Sequence, residues 1–122
     1  MINIRENYFA VEVPDGATGF GFINDSLVCK LPDSKPGCYH WLHEADEQMT
    51  EIGGEWEIVC TSKEATEDKL QDLIPEMKAG GRYENYNGDY PVWYHSRKWS
   101  FCSLLASKGC DVNKTYLILK KQ

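Results

Sequence analysis

The chain begins "MINIRENYFAVEV", which holds no apolar run of signal-peptide length, and no later segment approaches the roughly twenty apolar residues of a membrane span. No membrane association is expected, and the cytoplasm is the expected location. A cationic surplus is also missing, since 13 lysines and arginines face 19 acids for a net charge of -6. A nucleic-acid-binding module needs a cationic footprint to displace counterions, so direct nucleic-acid binding is not expected and a basic partner surface is favoured. The acids are spread along the chain, which does not point to a duplex-mimicking block. No internal repeat or low-complexity tract is present. With 42% hydrophobic and 26% charged residues the composition fits neither disorder nor a coiled coil. An even cysteine framework is lacking too: Cys29, Cys38, Cys60, Cys102 and Cys110 are five at irregular spacing, expected as free thiols that pack as small hydrophobes.

What is present suffices for a single domain of 122 residues. "YFAVEV" (8–13) reads as a strand stopped by Pro14-Asp15-Gly16, and "GFGFI" with "SLVCKL" reads as a hairpin about Asn24-Asp25. Gly19 and Gly21 in its first arm suggest a bulge or a close backbone approach. "CYHWLHEA" fits a strand or a short helical turn, while "EWEIVCTS" alternates as a half-buried strand. "ATEDKLQDLIPEMKAGG" carries helix signals: Thr66 can cap, Glu67 and Asp68 suit the first turn, and Leu70, Leu73, Ile74 and Met77 share one face. Pro75 shortens or kinks that helix. "SRKWSFCSLLASKG" is a second helix, with Ser96 as a cap and Gly109 as a terminator, and packing accounts for Cys102 beside Phe101. "TYLILKK" is apolar on both faces and belongs inside a sheet. The fold class is α+β: a single compact domain, mainly antiparallel sheet, with two helices and a C-terminal strand.

Chemistry is less legible. Cys38, His40 and His43 in "CYHWLHEADE" are residue types that zinc accepts, at a spacing that lacks a second ligand pair, so exposed histidines are the simpler reading and no cofactor is expected. A nucleophilic cysteine would need a positioned base, and Cys60 or Cys102 with His95 or His40 are the available pairs for a thiol-dependent enzyme. Glu44, Asp46 and Glu47 read as a solvated acidic face rather than an acid/base pair. The densest feature is "YENYNGDYPVWYHSRKW" (83–99), because aromatics are costly to leave in water and are the side chains most used to grip a partner. Within it Tyr90, Trp93, Tyr94, His95 and Arg97, with Arg82 just before it, are the candidate binding residues for a protein or for a nucleotide-like ligand stacked on the rings. Tyr83 and Tyr86 read as anchors between helix and sheet, and Trp99 as a core residue. A homo-oligomer through this segment is a further expectation, since dimer interfaces favour Tyr, Trp and Arg.

The order of motifs "VPDGATGF", "LPDSKPG", "EWEIVCTSKEATED", the Tyr83/Tyr86 pair and "WSFCSLLASKGCDVNKTYLILKK" resembles a loose group of small uncharacterised accessory proteins encoded by bacteriophages and prophages. The resemblance covers most of the chain and carries no catalytic residue. It implies a phage accessory protein in the bacterial host cytoplasm; the aromatic-rich segment, the acidic balance and the lack of a convincing active-site constellation then make a non-enzymatic binding protein or inhibitor of a host or phage protein, with an anti-defence role, the first reading. The alternatives from other classes are a sponge for a nucleotide-like small molecule and a thiol- or metal-dependent enzyme.

Overall fold

The structure, a computed structural model, describes residues 1–74, 81–83, 93–95 and 97–122, without the side chains of 67, 81–83, 93–95 and 97–99. Strand β1 (Ile2–Arg5) turns through Asn7, at a φ of 64°, into β2 (Tyr8–Val13). Asparagine tolerates that left-handed conformation better than most side chains. Asn3 bridges the irregular register, its Nδ2 donating to the carbonyls of Arg5 (2.9 Å) and Tyr8 (3.1 Å). Strands β3 (Thr18–Ile23) and β4 (Ser26–Lys30) form the expected hairpin. Asn24 and Asp25 both take positive φ, 50° and 67°, as a turn matched to strand twist requires. The expected bulge is there as well, as a register shift between Thr18 and Gly21.

The stretch that fits either a strand or a helical turn contains both. A two-residue strand β5 (His40–Trp41) pairs with β4, and helix α1 (His43–Ile52) follows at once. Strand β6 (Trp56–Thr61) has the expected alternation, broken by a bulge between Ile58 and Cys60. Thr66 caps α2 (Glu67–Leu70), its hydroxyl accepting from the Lys69 N–H at 3.4 Å. Regular helix ends there and a turn follows, with the Ile74 N–H on the Leu70 carbonyl at 2.8 Å. The expectations for Pro75, Met77 and Ser96 lie outside the described residues. The short strands β7 (Gly81–Tyr83) and β8 (Trp93–His95) pair, α3 runs Arg97–Ser107, and β9 (Thr115–Lys121) closes the fold.

Every strand pairing among the described residues is antiparallel, and the α+β class holds. Among the described residues the strands divide into a four-stranded sheet β1-β2-β9-β6, a three-stranded sheet β3-β4-β5 and the β7-β8 pair, with three helical segments where the sequence suggests two. The added helix is α1, whose apolar residues are too few to announce it.

Strand β9 is central and buried on both faces, as its composition implies. One face gives Tyr116 and Ile118 to a core with Tyr8, Ala10, Leu70, Leu73, Phe101 and Leu105. The other gives Leu117 and Leu119 to a second core with Val11, Val13, Leu27, Cys29, Leu42, Ala45 and Met49. The four-stranded sheet is thus the middle layer, with α2 and α3 on one side and the small sheet plus α1 on the other. Each fully buried Leu or Ile here contributes about 1.5–3 kcal/mol by leaving water. The end of α3 is built by Gly109, at a φ of 90°. The Cys110 N–H donates to the Leu105 carbonyl at 3.0 Å and the Gly109 N–H to Ala106 at 3.1 Å, so orphan carbonyls are satisfied and Cys110 packs on Leu105. Cys102, by contrast, is exposed, so packing does not account for it.

Candidate functional site

The most distinctive described surface is built by β5 and α1. Backbone pairing carries β5 along β4, Trp41 opposite Val28 and His40 opposite Cys29, and the ladder continues as the Leu42 N–H reaches the Leu27 carbonyl at 2.9 Å. Leu42 is itself buried and precedes the helix without a side chain able to accept from its first amides. Glu44 and Asp46 supply the negative charge that suits this end of the helix dipole. Asp46 does more. One carboxylate oxygen accepts from the Leu27 N–H at 3.4 Å and the other from the Trp41 indole N–H at 3.3 Å, so a single side chain fastens α1 to β4 and fixes the indole. This corrects the reading of Asp46 as merely solvated.

The Trp41 ring meets the His43 ring edge to face, 4.3 Å between centroids, and the His43 Nε2 lies 3.0 Å from a Glu47 carboxylate oxygen. Trp41 nonetheless stays 48% exposed, as does Tyr39, over which the Lys30 ammonium sits at 5.6 Å. Phe22, Ile23 and Ile52 are the other large hydrophobics exposed on the small sheet and α1. Indole and phenol rings held half in water by neighbours lose little further entropy on contact with a partner.

The electrostatics of this region are one-sided. Between Lys35 and Lys63 the sequence carries Glu44, Asp46, Glu47, Glu51, Glu55 and Glu57 and no lysine or arginine. Those six carboxylates equal the net charge of -6 for the whole chain. It is the lysines and arginines, not the acids, that are unevenly spread along the chain. Two grooves flank α1. One, of about 790 Å³, runs between the end of β2 and the first turn of the helix, past Val11, Val13, Asp15, Trp41, Leu42 and Glu44. The other, of about 660 Å³, lies between the helix and the hairpin tip, past Phe22, Asp46, Met49 and Trp56. Trp56, held edge to face by Phe9 at 5.2 Å, has a buried Nε1 donor with no acceptor among the described residues.

Of the residues singled out from sequence, Tyr90 lies outside the described residues. The backbone places Arg82 opposite Tyr94, Tyr83 opposite Trp93 and Gly81 opposite His95 on the β7-β8 pair, and Arg97 opens α3. The pairing thus sets Arg82 across from Tyr94, and Trp93, Tyr94 and His95 lie two to four residues before Arg97 in the chain. Tyr86 also lies outside the described residues, as do the side chains of Tyr83 and Trp99. His43 lies 3.0 Å from Glu47, and among the described residues no group of three or more His, Cys, Asp or Glu that could hold a metal ion is formed. All five cysteines are free, and the expectation that they pack as small hydrophobes holds for Cys29 and Cys110 but not for the exposed Cys38 and Cys102. Burial pushes the Cys60 thiol up to about 11, with the Lys69 ammonium only partly offsetting it, which is opposite to what a nucleophile needs. Burial likewise raises Cys29 and Cys110. Cys102 and Cys110 share the wall of a smaller cavity, about 200 Å³, beside Lys63.

The residues that sequence reasoning missed are Tyr39, Trp41 and Asp46. The signal was available in the 27-residue gap between Lys35 and Lys63 without a single lysine or arginine. Among the described residues no helix is long and apolar enough to cross a membrane. No protein family, curated protein or solved structure was found to match this chain.

Proposed function

We propose that this chain is a non-enzymatic binding protein that contacts another protein through the surface built by β5 and α1. The observation that carries the reading is Trp41: a half-exposed indole, hydrogen-bonded to Asp46 and braced by His43, beside a helix with four acids and no lysine or arginine. Rings of this kind anchor interfaces, and the surrounding carboxylates select what docks on them. In the setting that the phage resemblance implies, the partner is a host or phage protein in the bacterial cytoplasm, and blocking a host defence component is the role such a surface serves. The segment holding Tyr90, Trp93, Tyr94, His95 and Arg97 is a second contact region under this proposal, continuing the aromatic argument made from sequence.

Affinity capture from a bacterial lysate with the wild-type chain and a Tyr39→Ala/Trp41→Ala variant of matching circular dichroism tests the reading. The expected result is a protein retained by the wild type and lost from the variant. Identical retention by both would remove the β5-α1 surface from the account.

A further inference from the structure

The groove between β2 and α1 has a chemistry more specific than general acidity. Its floor is apolar, formed by Val11, Val13, Leu42 and Ala45, with the Trp41 indole as one wall. Asp15, from the turn after β2, and Glu44, from the first turn of α1, bring carboxylates to its rim. Neither has an ion pair among the described residues. Lys114 is the one lysine or arginine lining the groove among those residues, and its ammonium is held by Glu12 at 2.8 Å, a contact that raises its pKa. The cation present is therefore engaged, and two carboxylates remain available.

An apolar floor beneath a free anionic rim suits a side chain that is itself an aliphatic stem with a cationic head, because the stem leaves water while the head keeps charged and hydrogen-bonding partners. An anion is disfavoured at the same place, since Asp15 and Glu44 already occupy the rim and complete the charge at the start of α1. We propose that this groove receives a lysine or arginine side chain from a basic segment of the partner protein, its stem on Leu42 and Trp41 and its head between Asp15 and Glu44. The inference rests on the binding reading above. The occupant is a protein segment because the half-exposed Trp41, an interface-anchoring ring, lines the groove, and because the charge of the whole region is complementary to a basic strand or loop.

The test is fluorescence anisotropy at low salt with the full chain and a fluorescein-labelled peptide of alternating arginine and alanine. Two rim contacts of modest individual strength predict that Asp15→Asn/Glu44→Gln weakens binding by roughly 3- to 10-fold. The charge-matched control Glu6→Gln/Glu64→Gln, which alters two exposed acids outside the groove and outside α1, should stay within about 2-fold of wild type, the unspecific share of the attraction. Equal weakening by both variants would overturn the proposal, as would spermidine competing for the groove as tightly as the peptide. In the lysate capture, loss of the partner with Trp41→Ala but not with Asp15→Asn/Glu44→Gln refutes the groove and leaves the binding reading standing. Retention by both variants refutes the two together.

Discussion

Removing the Asp46 carboxylate is the perturbation most directly tied to how the surface is held. Asp46→Ala deletes two hydrogen bonds, to the Leu27 N–H at 3.4 Å and to the Trp41 Nε1 at 3.3 Å. Both are long, one is partly buried and one exposed, so each sits near the low end of the usual range, about 0.5–1 kcal/mol. Loss of a negative charge from the first turn of α1 adds about 0.3–1 kcal/mol. The sum is about 1–3 kcal/mol, which for a chain of this length lowers Tm by roughly 4–12 °C. Asp46→Asn keeps one acceptor oxygen and should lose about half as much. Urea denaturation followed by circular dichroism gives the first number, and a double-mutant cycle with Trp41→Phe isolates the indole bond. A coupling of about 0.5–1 kcal/mol between Asp46 and Trp41 is expected. An Asp46→Ala variant within about 0.3 kcal/mol of wild type, or a cycle that is simply additive, would refute the idea that this carboxylate clamps the helix and the ring.

Three further outcomes follow from the same structure. Because burial raises the Cys60 thiol from 9.0 to about 11, the unfolded chain releases this proton first as pH rises, so its contribution to stability is complete below about 9 and lost between about 9 and 11. The pH dependence of unfolding for Cys60→Ala should be flatter in that window by roughly 1–2 kcal/mol, a figure reduced for partial solvent access. Gly109→Ala meets open space but forces a φ of 90° on a side chain, and should cost about 1–2 kcal/mol by thermal unfolding. Under native conditions a thiol reagent should modify the exposed Cys38 and Cys102 well before the buried Cys29 and Cys110; simultaneous reaction of all four would contradict the burial described.

The sheet elements were legible because their signals are local. Tyr8–Val13 alternates and ends at a Pro-Asp-Gly turn, Asn24-Asp25 suits left-handed backbone, and "TYLILKK" is apolar at every early position and so belongs between two strands. Helix α1 was ambiguous because its signal is weak. Its only buried residues are Ala45 and Met49, its cap is a leucine, and Trp41 and Leu42 before it resemble a strand, which in part they are. Strand β1 had no clear mark either, since "INIR" buries only Ile4. The proposed binding surface was less readable still, because Asp46 acts through residues 5 and 19 positions away, and no spacing rule connects an aspartate on a helix to a backbone N–H on an earlier strand. A signal for this region lay in the charge pattern rather than in any motif. The absence of any lysine or arginine between Lys35 and Lys63 marks the region before any contact is known.

The account stands on one surface, β5 with α1, as the place where a basic partner docks. The most direct measurement is a two-dimensional NMR titration of the nitrogen-labelled full chain with the arginine-alanine peptide. The account predicts that the Trp41 indole N–H and the amides of Val13, Glu44 and Ala45 move together and saturably, while those of Leu105 and Cys110, across the central sheet, stay in place. Movement confined to residues 90–97, or spread evenly over every acidic stretch, would contradict it.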